Sequence, residues 1–350
     1  MKLKNHFEIT GIGSMPHEDE NTACDVVFSG FRRIPFWPQL VNRSFLENMT
    51  AQFTERMPGV ETDIDGKKVS INRKADIKKD IEDLNVRYDS PSPEYFSFSE
   101  DYAAGFYEYI YRLRGRDSAS LDYLKGQITG PVSLCFAVSD EDGIPLFFDR
   151  ELREAAVKTL CGKVRWQALK LKEIFKDIII FVDEPSLAFF KHSASDSKIK
   201  KEDITLYLNR LLDAIHAEGC YAGIHCCGDA DWDLVLSTNT DILSFDAYNY
   251  SPSFMKSREK ISAFLKRDGI ISWGMVPTAA EALKESAEDL AQKLASYIKE
   301  LSGPNIERQR IIGSSLITPS CGCGALGRQG AEAVIKRCVR LSEIAKEDIV

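Results

Sequence analysis

Short apolar runs that alternate with longer amphipathic segments constrain this 350-residue chain more than any other feature. The runs are near-continuous rather than alternating apolar with polar, the pattern of parallel strands covered on both faces. Eight can be read: Phe7 to Gly13, Ile34 to Trp37, Leu124 to Thr129, Ile178 to Val182, Cys220 to Ile224, Ile242 to Phe245, Ile270 to Met275 and Ser314 to Thr318. Between them lie helix signals. Asp149 is placed to cap a helix running to about Phe175, and Ile204, Leu208, Leu211, Leu212 and Ile215 share one helical face before Gly219. Ser286 likewise precedes Leu290, Leu294, Ile298 and Leu301. Eight strand–helix units point to an α/β fold, a closed (β/α)8 TIM barrel rather than an open doubly wound sheet.

The expected organisation is one barrel over residues 1–350, with residues 39–122 inserted between the second and third strands. That insertion carries a hairpin turn at Asp65-Gly66, a Pro-rich stretch from Ser90 to Pro93, and a helix from Ser99 to about Arg114. Such an excursion either caps a barrel mouth or packs on its side.

Lys+Arg 45 against Asp+Glu 53 leaves a net charge of -8, which argues against a nucleic-acid binder or a basic membrane-surface protein. No apolar run approaches the ~20 residues that span a bilayer, and Met1 to Glu8 lacks the apolar core of a signal peptide, so a cytoplasmic protein is expected. The nine cysteines cluster at Cys226-Cys227 and Cys321-Gly322-Cys323, which favours metal or thiol chemistry over a disulfide scaffold.

In a barrel the active site lies at the C-terminal strand ends. Here those ends carry Gly11-Ile12-Gly13-Ser14, Asp183-Glu184-Pro185, His225-Cys226-Cys227, Asp246 and Cys321-Gly322-Cys323. His225 and Cys227 are two apart on an extended segment and so point the same way. With Cys321 arriving from a distant strand, they form a three-ligand set of one imidazole and two thiolates, which suits Zn2+ with an open position. Asp246 or Cys323 is the candidate fourth ligand. Of Asp183 and Glu184, one is expected to point inward and the other to pair with a neighbour, and Asp183 is the candidate for acid–base work. His17 is a second catalytic candidate. Trp37 and Trp273 read as core.

These motifs together resemble the catalytic barrel of cobalamin-independent methionine synthase and its uroporphyrinogen-decarboxylase-like relatives. Ile12-Gly13-Ser14 is similar to that family's Ile-Gly-Ser turn, and Lys125 to Val132 to its Lys-Gly-x-x-Thr-Gly-Pro-Val segment. Val182 to Pro185 resembles its Asp-Glu-Pro strand end, while His225-Cys226-Cys227 and Pro319 to Gly322 resemble its zinc-binding His-x-Cys and Pro-x-Cys-Gly. The resemblance implies zinc-dependent methyl transfer to a small thiol, with His225, Cys227 and Cys321 as ligands and Asp246 where the family has a glutamate. It implies further that Ile12, Gly13 and Ser14 hold a substrate carboxylate and Asp183 its ammonium. The family's acidic segment after strand two has no counterpart in Pro35 to Gln39, and no histidine follows Trp273 to Pro277. Homocysteine, coenzyme M or another thiol therefore stays open as acceptor, and a methyl-corrinoid, carried by a partner protein, is favoured over methyltetrahydrofolate as donor. The competing readings are a metal-free uroporphyrinogen-decarboxylase-like enzyme, which needs arginines to hold substrate carboxylates, and a non-catalytic zinc- or corrinoid-partner-binding protein.

Overall fold

The computed structural model describes residues 6–191, 199–279 and 284–350, so residues 1–5 of the N-terminal stretch read above lie outside it. Seven parallel strands form the central sheet: β1 (Glu8–Ile9), β6 (Leu124–Thr129), β7 (Ile178–Asp183), β8 (Tyr221–Cys226), β9 (Ile242–Phe245), β10 (Ile270–Val276) and β11 (Ser315–Pro319). Their order is β1-β11-β10-β9-β8-β7-β6. Four shorter strands make two separate pairs, β2 (Ser14–Met15) beside β3 (Gln39–Leu40) in parallel and β4 (Val60–Asp63) against β5 (Lys68–Ile71). The second pair is the hairpin expected at Asp65-Gly66, where Gly66 N–H donates to Asp63 Oδ1 at 2.9 Å.

One expected strand is missing. The run Ile34 to Trp37 meets the sheet through a single bridge, Phe36 beside Lys125, with Lys125 N–H donating to the Pro35 carbonyl at 2.9 Å. On the other side Thr10 Oγ1 donates to the Ile34 carbonyl at 2.8 Å. Pro35 and Pro38 have no N–H to give, so the segment bonds in places without building a ladder. Among the described residues the sheet therefore has seven strands rather than the eight expected, and no ladder joins β1 to β6.

Two cores follow from the alternation of side chains along parallel strands. Ile180, Val182, Ile224, Leu243 and Phe245 face outward into the large core shared with the helices. Ile179, Phe181, Ile242, Ile270 and Leu316 face inward and form a smaller apolar plug with Ile12, Ile34 and Tyr123. Toward the C-terminal strand ends the same inward rows turn polar, as Gln127, Asp183, His225, Ser244, Asp246, Ser272 and Thr318. That polar layer lies over the plug.

The flanking helices begin where the capping residues predict. Asp149 Oδ1 accepts from Glu151 N and Leu152 N, each at 3.1 Å, to start Arg150–Lys172. Ser286 and Asp289 form a capping box on Ala287–Leu301. Lys201–Ala217 buries the face read from the sequence, and Gly219 follows it at φ +63, a conformation glycine adopts without steric cost. Residues 39–122 supply the hairpin, the helix Ile77–Tyr88 and the helix Glu100–Arg114, whose Tyr109 hydroxyl donates to the Pro35 carbonyl at 2.9 Å. Trp37 and Trp273 are fully buried and donate to Gln167 Oε1 and Ser315 Oγ.

His216 ties Lys201–Ala217 to the start of β9: its Nε2 lies 2.8 Å from Asp241 Oδ2, which also accepts from Ala222 N. That bond raises the pKa of His216 above its usual 6.5. A raised folded-state pKa gives stability that is complete below the unfolded value and lost as pH rises through the folded one. Replacing His216 by Gln is therefore expected to cost about 0.5–1 kcal/mol at pH 5 and almost nothing at pH 9, a half-exposed ion pair being worth no more. Urea unfolding of both proteins at the two pH values checks this.

Candidate metal centre

Strand β8 presents His225 inward, turns Cys226 outward into the helical core, and continues to Cys227, which faces inward again. Strand β11 ends at Pro319, and two residues later Cys321 reaches the same place. The ligand atoms of His225, Cys227 and Cys321 all lie within 4.8 Å of one another. Among the described residues this is the one such group of histidine, cysteine and acidic side chains.

The His225 ring is held from behind. Its Nδ1 lies 3.0 Å from Ser244 Oγ on β9, while Nε2 is buried with no hydrogen-bond partner. Cys227 is held far below the ordinary thiol range by its neighbours, first the Cys321 thiol and then the His225 imidazole. Cys321 is pushed up by the same neighbour, as is expected when two close thiols titrate together. Two partly buried sulfurs and one buried, unpartnered nitrogen converging in one place are the donors a soft-to-borderline divalent cation takes.

Asp246 is buried at the end of β9, where burial raises its pKa; the charge of Cys227 adds to the rise and that of His225 opposes it. Its carboxylate caps the helix Ala247–Phe254 by accepting from Asn249 N at 3.0 Å and Asn249 Nδ2 at 2.7 Å. It thus borders the three-residue group without belonging to it. Cys323 does not reach it. Its thiol is buried in the helical core beside Cys338, and burial alone pushes its pKa up to about 12.

Asp183 and Glu184 divide as expected from their parity. Glu184 is fully buried and accepts from Val132 N at 2.9 Å, Ser133 N at 2.8 Å and Ser133 Oγ at 2.6 Å, capping the helix Pro131–Ala137. Asp183 turns inward, opposite His225 in the β7–β8 register, and its Oδ1 is buried without a partner. Burial raises the Asp183 pKa against the pull of His225 and Lys125.

Lys125 joins the site as a residue that pattern reading passes over, although a lysine inside the otherwise strand-like run Leu124 to Thr129 is a signal in itself. Its ammonium is fully buried, donates to the Ile12 carbonyl at 2.7 Å and lies 4.5 Å from the centre of the Phe181 ring. It thereby braces the Ile12-Gly13-Ser14 turn from below. Ser14 abuts the Cys321 loop: its carbonyl accepts from Cys323 N at 2.8 Å and its Oγ from Gly324 N at 3.3 Å. A Cβ on Gly322 would fall 2.0 Å from Ser14 Oγ, so a side chain there would force the Ser14 hydroxyl out of its present position. His17 is buried with its Nδ1 unpartnered, its charged neighbours are Arg328, Glu332 and Asp19, and it is not one of the three residues whose ligand atoms converge.

No protein-family model and no curated protein matches the chain. Solved structures do. A B12-independent methionine synthase from Shewanella sp. W3-18-1 in complex with selenomethionine aligns over 98% of this chain and 99% of its own, with TM-score 0.62 and 15% identity. A Listeria monocytogenes protein provisionally assigned as a vitamin-B12 independent methionine synthase aligns over 97% and 98%, with TM-score 0.56 and 13% identity. Over nearly its whole length, then, the chain has the fold of these methionine synthase structures.

Proposed function

We propose that the chain is a zinc-dependent S-methyltransferase that methylates a small thiol, related to the cobalamin-independent methionine synthases. The observation that carries this reading is the convergence of His225, Cys227 and Cys321 from two strand ends far apart in the sequence. The unpartnered His225 Nε2 and the close pair of Cys227 and Cys321 sulfurs fit a bound Zn2+, with Asp246 at the end of β9 the candidate for a fourth ligand. Zinc bound there would supply the Lewis acidity that lets a thiol lose its proton at neutral pH.

The chain's own residues bind and orient the acceptor. In this reading Asp183 Oδ1 accepts from the acceptor's ammonium, and the turn Ile12-Gly13-Ser14, braced by Lys125, holds its carboxylate. His17 takes no step. In this reading the chain works as a single barrel-like domain, in which 39–122 is an insertion that reaches the rim through Gln39 N–H donating to the Gly13 carbonyl at 3.0 Å. The acceptor is homocysteine or another thiol such as coenzyme M, the donor a methyl-corrinoid or methyltetrahydrofolate, and the setting the cytoplasm. Among the described residues no helix is long and apolar enough to cross a membrane. The metal-free decarboxylase reading has less support. It needs arginines to bind substrate carboxylates, and Arg33 is taken by Asp122, at 2.6 and 2.7 Å, and by Glu8 at the opposite end of β1.

Zinc-edge X-ray absorption on the purified protein tests the reading. One nitrogen and two sulfur neighbours are expected, with a third sulfur appearing when the right thiol is added. Protein that takes up no zinc would sink the proposal, and zinc that ignores every thiol would favour a non-catalytic binder.

A further inference from the structure

Ser244 sits in the middle of β9 with no solvent exposure, between Leu243 and Phe245, which face the helical core. A buried hydroxyl left without a partner costs about 1–3 kcal/mol, so a serine in this place needs a reason that alanine or valine would not. Among the described residues its hydrogen bond is to His225 Nδ1, at 3.0 Å. The parallel register places Ser244 directly opposite His225, so the backbone ladder itself creates the contact.

A neutral imidazole carries its proton on one nitrogen and a lone pair on the other. When Nδ1–H is donated to Ser244 Oγ, the lone pair is on Nε2, the buried nitrogen without a partner. Ser272 lies opposite Ser244 on β10 and its hydroxyl donates to Thr318 Oγ1 at 3.4 Å, so a row of buried hydroxyls backs the histidine across three strands.

We propose that Ser244 is a positioning residue of the candidate metal centre, fixing the tautomer and ring plane of His225 so that Nε2 is presented to the ion. The inference rests on the metal-centre reading above. Outer partners of metal-bound histidines commonly set affinity by 10–100-fold, which is about the size expected here.

The test compares wild type with Ser244→Ala and Ser244→Thr. Zinc affinity is measured by competition with a chromophoric chelator, and thermal unfolding of the metal-free proteins reports any general damage. Ser244→Ala is expected to weaken zinc binding roughly 10- to 100-fold with the metal-free unfolding temperature little changed, while Ser244→Thr, which keeps the hydroxyl, recovers most of the affinity. A second readout needs no metal: nitrogen-15 histidine spectra of the metal-free proteins should show His225 as the Nδ1–H tautomer in wild type and a mixture in Ser244→Ala. Unchanged zinc affinity in Ser244→Ala overturns the proposal. So does an equal loss in both variants with an unchanged tautomer, which would mark a packing effect. If wild type binds no zinc, the metal-centre reading falls instead, and the tautomer spectra still decide whether Ser244 holds His225.

Discussion

Replacing Cys227 or Cys321 by serine is expected to remove stoichiometric zinc and, with it, thiol methylation. Loss of an outer partner already costs 10–100-fold in affinity, and loss of a thiolate ligand should exceed about 100-fold. Metal content after dialysis is the direct measurement, and Cys226→Ser is the control. Cys226 lies between the other two residues of its triplet in sequence, yet faces the helical core and contributes no atom to the group. Its serine variant should keep zinc and lose only some stability. The same assay separates the two candidates for the fourth ligand. Cys323→Ser should bind zinc normally, because that thiol is packed beside Cys338, whereas Asp246→Asn should weaken binding because Asp246 feels the charges of both Cys227 and His225. Full zinc occupancy in Cys227→Ser would end the metal-centre reading.

The parts of the fold that could be read from the sequence are those where burial on both faces leaves a continuous apolar run. Leu124–Thr129 and Ile242–Phe245 match their expected bounds, and the remaining sheet strands lie within or overlap theirs. The failure at Ile34 to Trp37 has a local cause: its apolar content reads as a strand, but Pro35 and Pro38 withhold the N–H groups a ladder needs. The site divides in the same way. His225 and Cys227 share a face because they belong to a strand and its immediate extension, where parity holds. Cys321 and Cys323 have the same spacing, but they follow the end of β11 in a bend, and there the thiols diverge. Ser244 was illegible for the opposite reason. One serine in Ile242-Leu243-Ser244-Phe245 does not disturb a strand pattern, and its meaning depends on the register with β8, which no single segment encodes.

Asp183→Asn is expected to raise KM for an ammonium-bearing thiol such as homocysteine while leaving zinc content intact. The carboxylate closes β7 with its backbone fixed, since Gly130 N–H donates to its carbonyl at 2.8 Å, and with Oδ1 buried and unpartnered. A buried acceptor without a donor is a cost to the free protein, and an ammonium arriving at that oxygen removes it. Truncating one side of a buried charge pair costs upward of about 2 kcal/mol, so a change of roughly 30-fold or more in KM is expected. Stability should respond differently. Asparagine keeps the shape and gives up a charge held in a desolvated place, but it also takes away the carboxylate that faces the buried Lys125, so unfolding should shift toward a somewhat less stable protein. The decisive comparison is between acceptors. A thiol with no ammonium, such as coenzyme M, makes no contact with the carboxylate that asparagine would remove, so its KM should stay level or fall. If both thiols lose equally, Asp183 acts on the centre through His225, its neighbour in register, and the acceptor's ammonium must be recognised elsewhere on the rim.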